Sequence, residues 1–257
     1  MSTNQPASSC RIYPAYCFPA SPTYNAWVKL AAADVQALRS EPEYRSQRIY
    51  FHLNHPIRYV NLVGVVVAID DINLKYTVLT VDDGSGATIE VKIIRLSPNV
   101  YNAVESPSNT TVSNLNIIVR TGVFEVTING HPVDIGSVIK AKCTISEFRG
   151  SKQLEVKRAW IVRTTNEEAQ AWAQTAKFKR EVLSKPWRLT SVEHRRIKKD
   201  MKREQRKNQE YQRLKLQQEA AKHEKKKAMQ KYMAEREVRL EARRRKEEVM
   251  MNAGALI

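Results

Sequence analysis

The sequence predicts a mainly β fold with α additions: a five-stranded Greek-key barrel, a flanking C-terminal helix, and a long charged helical tail. Three observations carry that expectation. Seven of the eight glycines lie between Gly64 and Gly150, so this stretch turns often. Between those turns stand short runs of Val, Ile and Thr with a period of two. From Trp187 to Ala253 there is neither Gly nor Pro, and the composition shifts to Lys, Arg, Glu and Gln, so this stretch need not turn at all.

The charge divides at the same place. Residues 1–176 hold 17 basic and 15 acidic side chains, a net of +2, whereas residues 177–257 hold 26 and 12, a net of +14. The chain therefore reads as a near-neutral folded body with a basic tail. Its 257 residues suffice for one or two domains with a sizeable core.

Residues 1–11 read as disordered, and the segment up to residue 43 as a strap packed on the body, with a helical piece after Ser21-Pro22-Thr23. Trp27, Val28 and Leu30 are too apolar for a free arm. Arg48–Leu53 is a short strand candidate. Tyr59–Ile69 reads as a central strand whose Gly64 marks a kink or a close approach. Lys75–Val81 follows, then the turn Asp82-Asp83-Gly84-Ser85-Gly86. In Ala87–Arg95, Ile89, Val91 and Ile93 fall on one face.

Residues 97–116 are polar and rich in Pro, Ser and Asn. They read as a variable loop with room for a short helix. Val123–Ile128, Asn129-Gly130 and a return strand predict a hairpin, because Asn-Gly supplies the positive φ of a type I′ turn. Val138–Ile145 and Gln153–Val162 complete five main strands, ordered three, interruption, two. In an oligonucleotide-binding (OB) barrel a helix fills that interruption, and closure removes the exposed edges. The OB-fold domain with its strap is expected over 12–163.

Thr165-Asn166-Glu167-Glu168 reads as a capping box with Thr165 at the N-cap. Ala169, Trp172, Ala176 and Leu183 then share one helical face, with Ala173 beside it. This helix, assigned to 164–187, covers a barrel end or meets a partner, since small residues let another helix approach closely. Residues 188–257 carry Glu to Lys/Arg pairs at helical spacing but no sustained heptad, so a long solvated helix or helix-prone tail is expected, with a coiled coil as the lesser reading.

Several function classes are excluded on this reading. No run approaches 18 apolar residues, and the start has no basic and apolar signal pattern. Cys10, Cys17 and Cys143 form no CxxC pair and suit a reducing compartment. His52, His55 and Cys17 read as structural rather than as a metal site. Asp82–Gly86 reads as a hairpin turn, and Asp70, Asp71, Asp82 and Asp83 lie in connections. No nucleophile elbow or HExxH motif is present, so no catalytic residue, metal or cofactor is expected.

Strand alternation places Lys92, Lys140 and Lys142 outside the barrel, with Arg95, Arg149 and Lys152 at strand ends or in a loop. Together with Tyr76, Phe148 and Trp160 they are candidates for single-stranded nucleic acid, which needs cations for its phosphates and planes for its bases. Ordinary surface charge over core aromatics is the equal alternative. The tail's Lys225-Lys226-Lys227 and Arg243–Lys246 could serve nuclear import or weak, salt-sensitive phosphate contact.

Several stretches together resemble one family. They are Ser21-Pro22-Thr23-Tyr24, Ala26-Trp27-Val28-Lys29-Leu30 with Asp34-Val35, and Tyr50-Phe51-His52-Leu53-Asn54-His55-Pro56-Ile57 running into Val63-Gly64-Val65-Val66. Tyr76 with Val81-Asp82-Asp83-Gly84-Ser85-Gly86-Ala87, Lys142 to Phe148-Arg149, and Glu181-Val182-Leu183-Ser184-Lys185-Pro186-Trp187 extend the match. Their order resembles the STN subunit of the CST telomere-capping complex, of the filamentous-fungal type, itself similar to the middle subunit of replication protein A.

That resemblance implies an OB fold in the nucleus, at the telomere, binding single-stranded G-rich DNA. It implies a small OB-fold TEN-type partner, a large CTC/CDC-type subunit, and lagging-strand fill-in through DNA polymerase α–primase, with no membrane contact. It places the DNA role chiefly on Lys92, Arg95, Lys142 and Arg149 and the partner role on Trp172 and Ala176. With the reading of the residues, the DNA-binding candidates are Tyr76, Lys92, Arg95, Lys142, Arg149 and Lys152, and the partner-interface candidates Ala169, Trp172, Ala173, Ala176 and Leu183. Ile93 stands where animal members carry a third-strand aromatic, and the charged stretch stands where animal and budding-yeast members continue into winged-helix domains. The alternative is a general single-stranded nucleic-acid-binding OB module of replication whose basic tail supplies most of the affinity.

Overall fold

The computed structural model describes residues 10–72, 75–97, 108–120 and 123–254. It comprises two units, residues 1–191 and residues 192–257.

The first unit begins with a 3-10 turn, Ala15–Ala20, then β1 (Trp27–Lys29), α1 (Ala32–Gln36) and β2 (Arg39–Ser40). The helical piece expected after Ser21-Pro22-Thr23 is instead a turn leading into β1. Next come β3 (Tyr50–His52), β4 (His55–Ile57), β5 (Tyr59–Asp71), β6 (Tyr76–Asp82) and β7 (Thr88–Ile94). Then follow β8 (Leu115–Arg120), β9 (Val123–Ile128), β10 (His131–Val133), β11 (Val138–Phe148) and β12 (Ser151–Ile161).

The principal sheet runs β1-β5-β11-β12-β7-β6, and a further β5–β6 pairing closes it. The five expected strands are β5, β6, β7, β11 and β12. β12 pairs parallel with β7, and the other barrel pairings are antiparallel. This is an OB barrel, and closure leaves none of the five with a free edge. Inward alternation fills it with Leu62, Val66, Leu79, Val81, Ile89, Val91, Ile93, Ile139, Ala141, Cys143 and Ile145, all at most 3% exposed.

Gly64 is the tight point. A Cβ there would stand 2.5 Å from the Asp82 carbonyl oxygen and 2.7 Å from Val81, so only hydrogen lets β5 pass over β6. The expected close approach is real.

Between β7 and β11 the described residues form a three-stranded meander, β10-β9-β8. Asn129 (φ 52°) and Gly130 (φ 76°) make the expected Asn-Gly hairpin. β8 went unrecognised in the sequence. Most of the polar stretch where a short helix had room, residues 98–107, lies outside the described residues, as do residues 1–9 of the expected disordered start.

The strap has a small core of its own, Phe18, Ile49 and Phe51, and anchors Val28 and Leu30 in the main one. The Asp82–Gly86 turn fastens it. The Asp83 carboxylate accepts the amide of Ala32 at 2.7 Å, Ser85 Oγ accepts that of Ala33 at 3.1 Å, and α1 is thereby capped from outside its own sequence.

Helix α2 (Thr165–Phe178) follows β12. Its N-cap is Thr164, not Thr165: Thr164 Oγ1 accepts the amide of Glu167 at 3.2 Å. From Lys179 to Leu183 the chain widens into a π turn, closed by Ser184 N–H donating to the Lys179 carbonyl at 2.9 Å. The second unit is helix α3 (Ser191–Gly254), whose described side chains from residue 192 onward are exposed apart from the partly buried His194, Ile197 and Met201.

Candidate nucleic-acid and partner interface

Of the partner-facing residues expected on α2, four behave as one surface. Ala169, Trp172, Ala173 and Ala176 are exposed, Trp172 at 50%, because the helix seats its other side, Ala171, Thr175 and Phe178, against the body. Lys29 Nζ donates to Gln174 at 2.9 Å, and Lys179 pairs with Asp34 at 2.6 Å, pinning α2 along β1 and α1. Trp172 also lines a hollow of about 210 Å³ with Leu30, Asp34, Val63, Thr175 and Lys179.

Leu183 is a correction. It is 1% exposed and belongs to the barrel core. An i+7 step from Ala176 assumes an unbroken α-helix, but the π turn spends an extra residue and rotates Leu183 inward. Beyond it, Trp187 packs edge-on against Tyr13 at 4.9 Å, and Asn54 exchanges two hydrogen bonds of 2.8 Å with the Trp187 backbone.

The nucleic-acid candidates separate into engaged and available groups. Arg95 is engaged: its side chain is 7% exposed, donates to Asp71 and to Thr77 Oγ1 at 2.8 Å, and lies under the Phe124 ring at 5.7 Å. It locks β7 to the β5 end and cannot serve as a free phosphate contact. Lys152 is engaged too. Its Nζ donates to the Gln36 carbonyl at 2.7 Å, its backbone exchanges two bonds with the Gln36 amide, and burial lowers its pKa.

Tyr76 and Lys92 lie together on the outer face of β6–β7, ammonium 5.3 Å from the ring centre. Register puts Glu90 and Asp82 on that same face, so it carries one cation against two carboxylates. Phe148 (56% exposed) and Arg149 form the tip of the β11–β12 hairpin, with the guanidinium 5.1 Å over the ring. Arg149 and Gly150 both have positive φ, 50° and 84°, which makes this turn tight and its tip prominent.

Lys142 sits elsewhere, since β11 borders neither β6 nor β7. Its ammonium lies 5.5 Å from the Trp27 ring and 5.6 Å from Trp160. The chain continues on both sides. Arg158 stands 5.2 Å over Trp160, Trp27 meets Tyr59 at a tilt of 54° with ring centres 5.0 Å apart, and Arg58 bridges Tyr59 and Tyr24 at 5.2 and 5.1 Å. Trp160 and Lys142 were expected candidates. Tyr24, Trp27, Arg58, Tyr59 and Arg158 were not, because only the register of β1, β5, β11 and β12 assembles them.

Other ionisable groups are structural. Burial lowers the His52 and His55 pKa values, and His55 Nε2 contacts the Lys185 carbonyl at 2.8 Å. Burial pushes Glu155 up, but Lys157 and Arg48 outweigh it and hold the carboxyl below its ordinary range. Among the described residues no group of three His, Cys, Asp or Glu could hold a metal, and no helix is long and apolar enough to cross a membrane.

The family described as Telomere regulation protein Stn1 matches residues 42–256. The chain belongs to the Stn1 family. A fission-yeast Stn1 (Schizosaccharomyces pombe) is 24% identical over 159 residues, which cover 62% of this chain and 41% of that protein. The chain therefore matches about two-fifths of the length of that Stn1. A solved structure of yeast Stn1 and Ten1 shares the fold, with a TM-score of 0.52, 16% identity, and coverage of 73% of this chain and 90% of the other. The S. pombe Stn1–Ten1 structure aligns over 62% of this chain and 96% of its own, with 23% identity and a TM-score of 0.45. This Stn1-family chain is a telomere-associated OB-fold protein.

Proposed function

We propose that the chain is a non-enzymatic telomere-capping subunit that works in the nucleus within a heteromeric OB-fold complex. It pairs with a small TEN-type OB subunit through α2, binds single-stranded G-rich DNA as part of that complex, and supports end protection. A large CTC/CDC-type subunit and polymerase α–primase, for lagging-strand fill-in, are the further partners this reading implies.

One observation carries the pairing. The Ala169-Trp172-Ala173-Ala176 face stays open although α2 is already seated on its own barrel, so the open face serves something other than intramolecular packing. A yeast Stn1 of this fold was solved together with Ten1. The test is co-purification of the full chain with a small OB partner. Ala173→Glu should abolish pairing and leave the melting temperature of the chain alone unchanged. Trp172→Glu should abolish it as well, with some loss of stability because Trp172 also lines the hollow with Leu30 and Val63. Pairing that survives both substitutions refutes the reading.

The alternative is a general replication module whose tail supplies the affinity, favoured by the 21 basic and 11 acidic side chains of α3. Fluorescence anisotropy with a labelled G-rich strand, at two salt concentrations, separates the two. Under the proposal, residues 1–191 with the partner retain preference for that strand over a scrambled one. Under the alternative, deleting 192–257 removes binding, and the intact chain shows a steep salt slope without preference.

A further inference from the structure

The series Tyr24, Arg58, Tyr59, Trp27, Lys142, Trp160, Arg158 is a continuous run of rings and cations across the outer face of β1, β5, β11 and β12. Each neighbouring pair lies within 5.0–5.6 Å. We propose that this ladder, rather than the β6–β7 face, is where the barrel takes single-stranded nucleic acid, with bases on Trp27 and Trp160 and phosphates on Lys142, Arg158 and the neighbouring Lys140. The inference rests on the DNA-binding reading above and assigns it a surface.

Three observations support it. The first is charge. In the outer rows Asn61/Lys142/Arg158 and Val63/Lys140/Trp160 there are three cations and no carboxylate. The next row holds Glu155, which is 11% exposed and neutralised by Arg48 at 3.1 Å and by Lys157. The β6–β7 face offers one cation against Glu90 and Asp82, which repel a phosphate chain.

The second is ring availability. Trp27 is 36% exposed and Trp160 partly exposed, and their cation neighbours are already in place to flank a stacked base. The binding of a flexible strand to such a surface needs a π-face for each base and a cation within reach of each phosphate, without a closed pocket. Strand pairing fixes both at strand spacing, so the platform exists before the ligand arrives.

The third is an orphan. The Oδ1 of Asn61, between Lys29 and Lys142 in register, is buried and accepts no hydrogen bond. A buried acceptor without a donor costs stability. A base amino group that displaces the side chains covering this atom supplies a donor of the right kind.

The experiment is photocrosslinking of the full chain to a single strand carrying 5-iodouracil, with the crosslinked peptides identified by mass spectrometry. Crosslinks to Trp27, Tyr59 or Trp160 are expected. Crosslinks confined to Tyr76, Phe148 or the α3 tyrosines Tyr211 and Tyr232 overturn the proposal. In parallel, Trp160→Ala and the exposed charge reversals Arg158→Glu and Lys140→Glu should each weaken binding by about tenfold. Tyr76→Ala should have little effect. The two reversals test the idea even where Trp160→Ala compromises folding.

If the unsubstituted chain binds the strand and the ladder variants bind equally well, the surface assignment falls alone. If the unsubstituted chain and its complex bind no single strand, the DNA-binding reading falls with it. Ladder variants that lose the small OB partner while retaining DNA overturn the proposal in favour of a protein contact.

Discussion

The barrel and helix α3 are both regular structures, yet they hold their shape by different means. In the barrel, strands distant in sequence bury a common core, and with the strap and the meander 29 buried side chains among the described residues form one cluster. In α3, most described charged side chains are exposed, and ion pairs such as Lys215–Glu219, Arg243–Glu247 and Arg245–Glu241 join residues only four apart. The lesson is that a change of one atom can be felt throughout the barrel, whereas in α3 it is felt within a turn. All-or-none unfolding belongs to the first unit, whereas the second has only the local cooperativity of a helix–coil equilibrium.

The sharpest break comes at Leu183. Leu183→Ala should destabilise the first unit by about 3 kcal/mol, read as a lower urea midpoint in tryptophan fluorescence, because the side chain is enclosed and the cavity has few ways to collapse. Gly64→Ala should cost about 2 kcal/mol or more, because the nearest atom is a backbone carbonyl that cannot swing aside. Asp83→Ala should cost about 1 kcal/mol and speed amide exchange at Ala32, whose N–H it leaves unpaired.

An acid response follows from the histidines. Their folded pKa values lie below the unfolded one, so the unfolded state binds more protons as pH falls through about 6.5. Stability should be full above that pH and decline below it, and His55→Gln should flatten the decline in a pH series of denaturation midpoints. The smallest effect belongs to α3: Glu219→Gln should change helicity by circular dichroism only marginally, worth less than about 0.5 kcal/mol. A large loss there would mean that α3 is held by something other than its own turns.

Legibility in the sequence followed the same division. β5, β6, β7, β11 and β12 could be read because each alternates locally and each pair of neighbours is separated by a recognisable turn. β8 could not, since Leu115–Arg120 offers a short run next to a polar loop and gains its identity from pairing with β9. The N-cap was misplaced by one residue because Thr164 and Thr165 are chemically equal, and only geometry chooses between them. Leu183 was misread because a helical stripe cannot register a π turn. Arg95 and Lys152 looked like free cations because their partners, Asp71 and Gln36, stand 24 and 116 residues away. The aromatic ladder draws on residues from 24 to 160 and has no sequence signature at all.

The Asn54–Trp187 bonds have a mechanical consequence. Together with the Tyr13–Trp187 ring contact and the Leu189 N–H to Tyr13 hydroxyl bond of 3.1 Å, they bring the entry and the exit of the first unit to one spot. Tension applied through the two ends therefore loads these few contacts first, peeling them one by one, before any barrel strand is sheared. Such a unit yields its ends at low force while its barrel keeps its shape, and its ends can be joined by a short linker and the chain reopened at an exposed turn such as Arg149-Gly150 without altering the order of strands around the barrel.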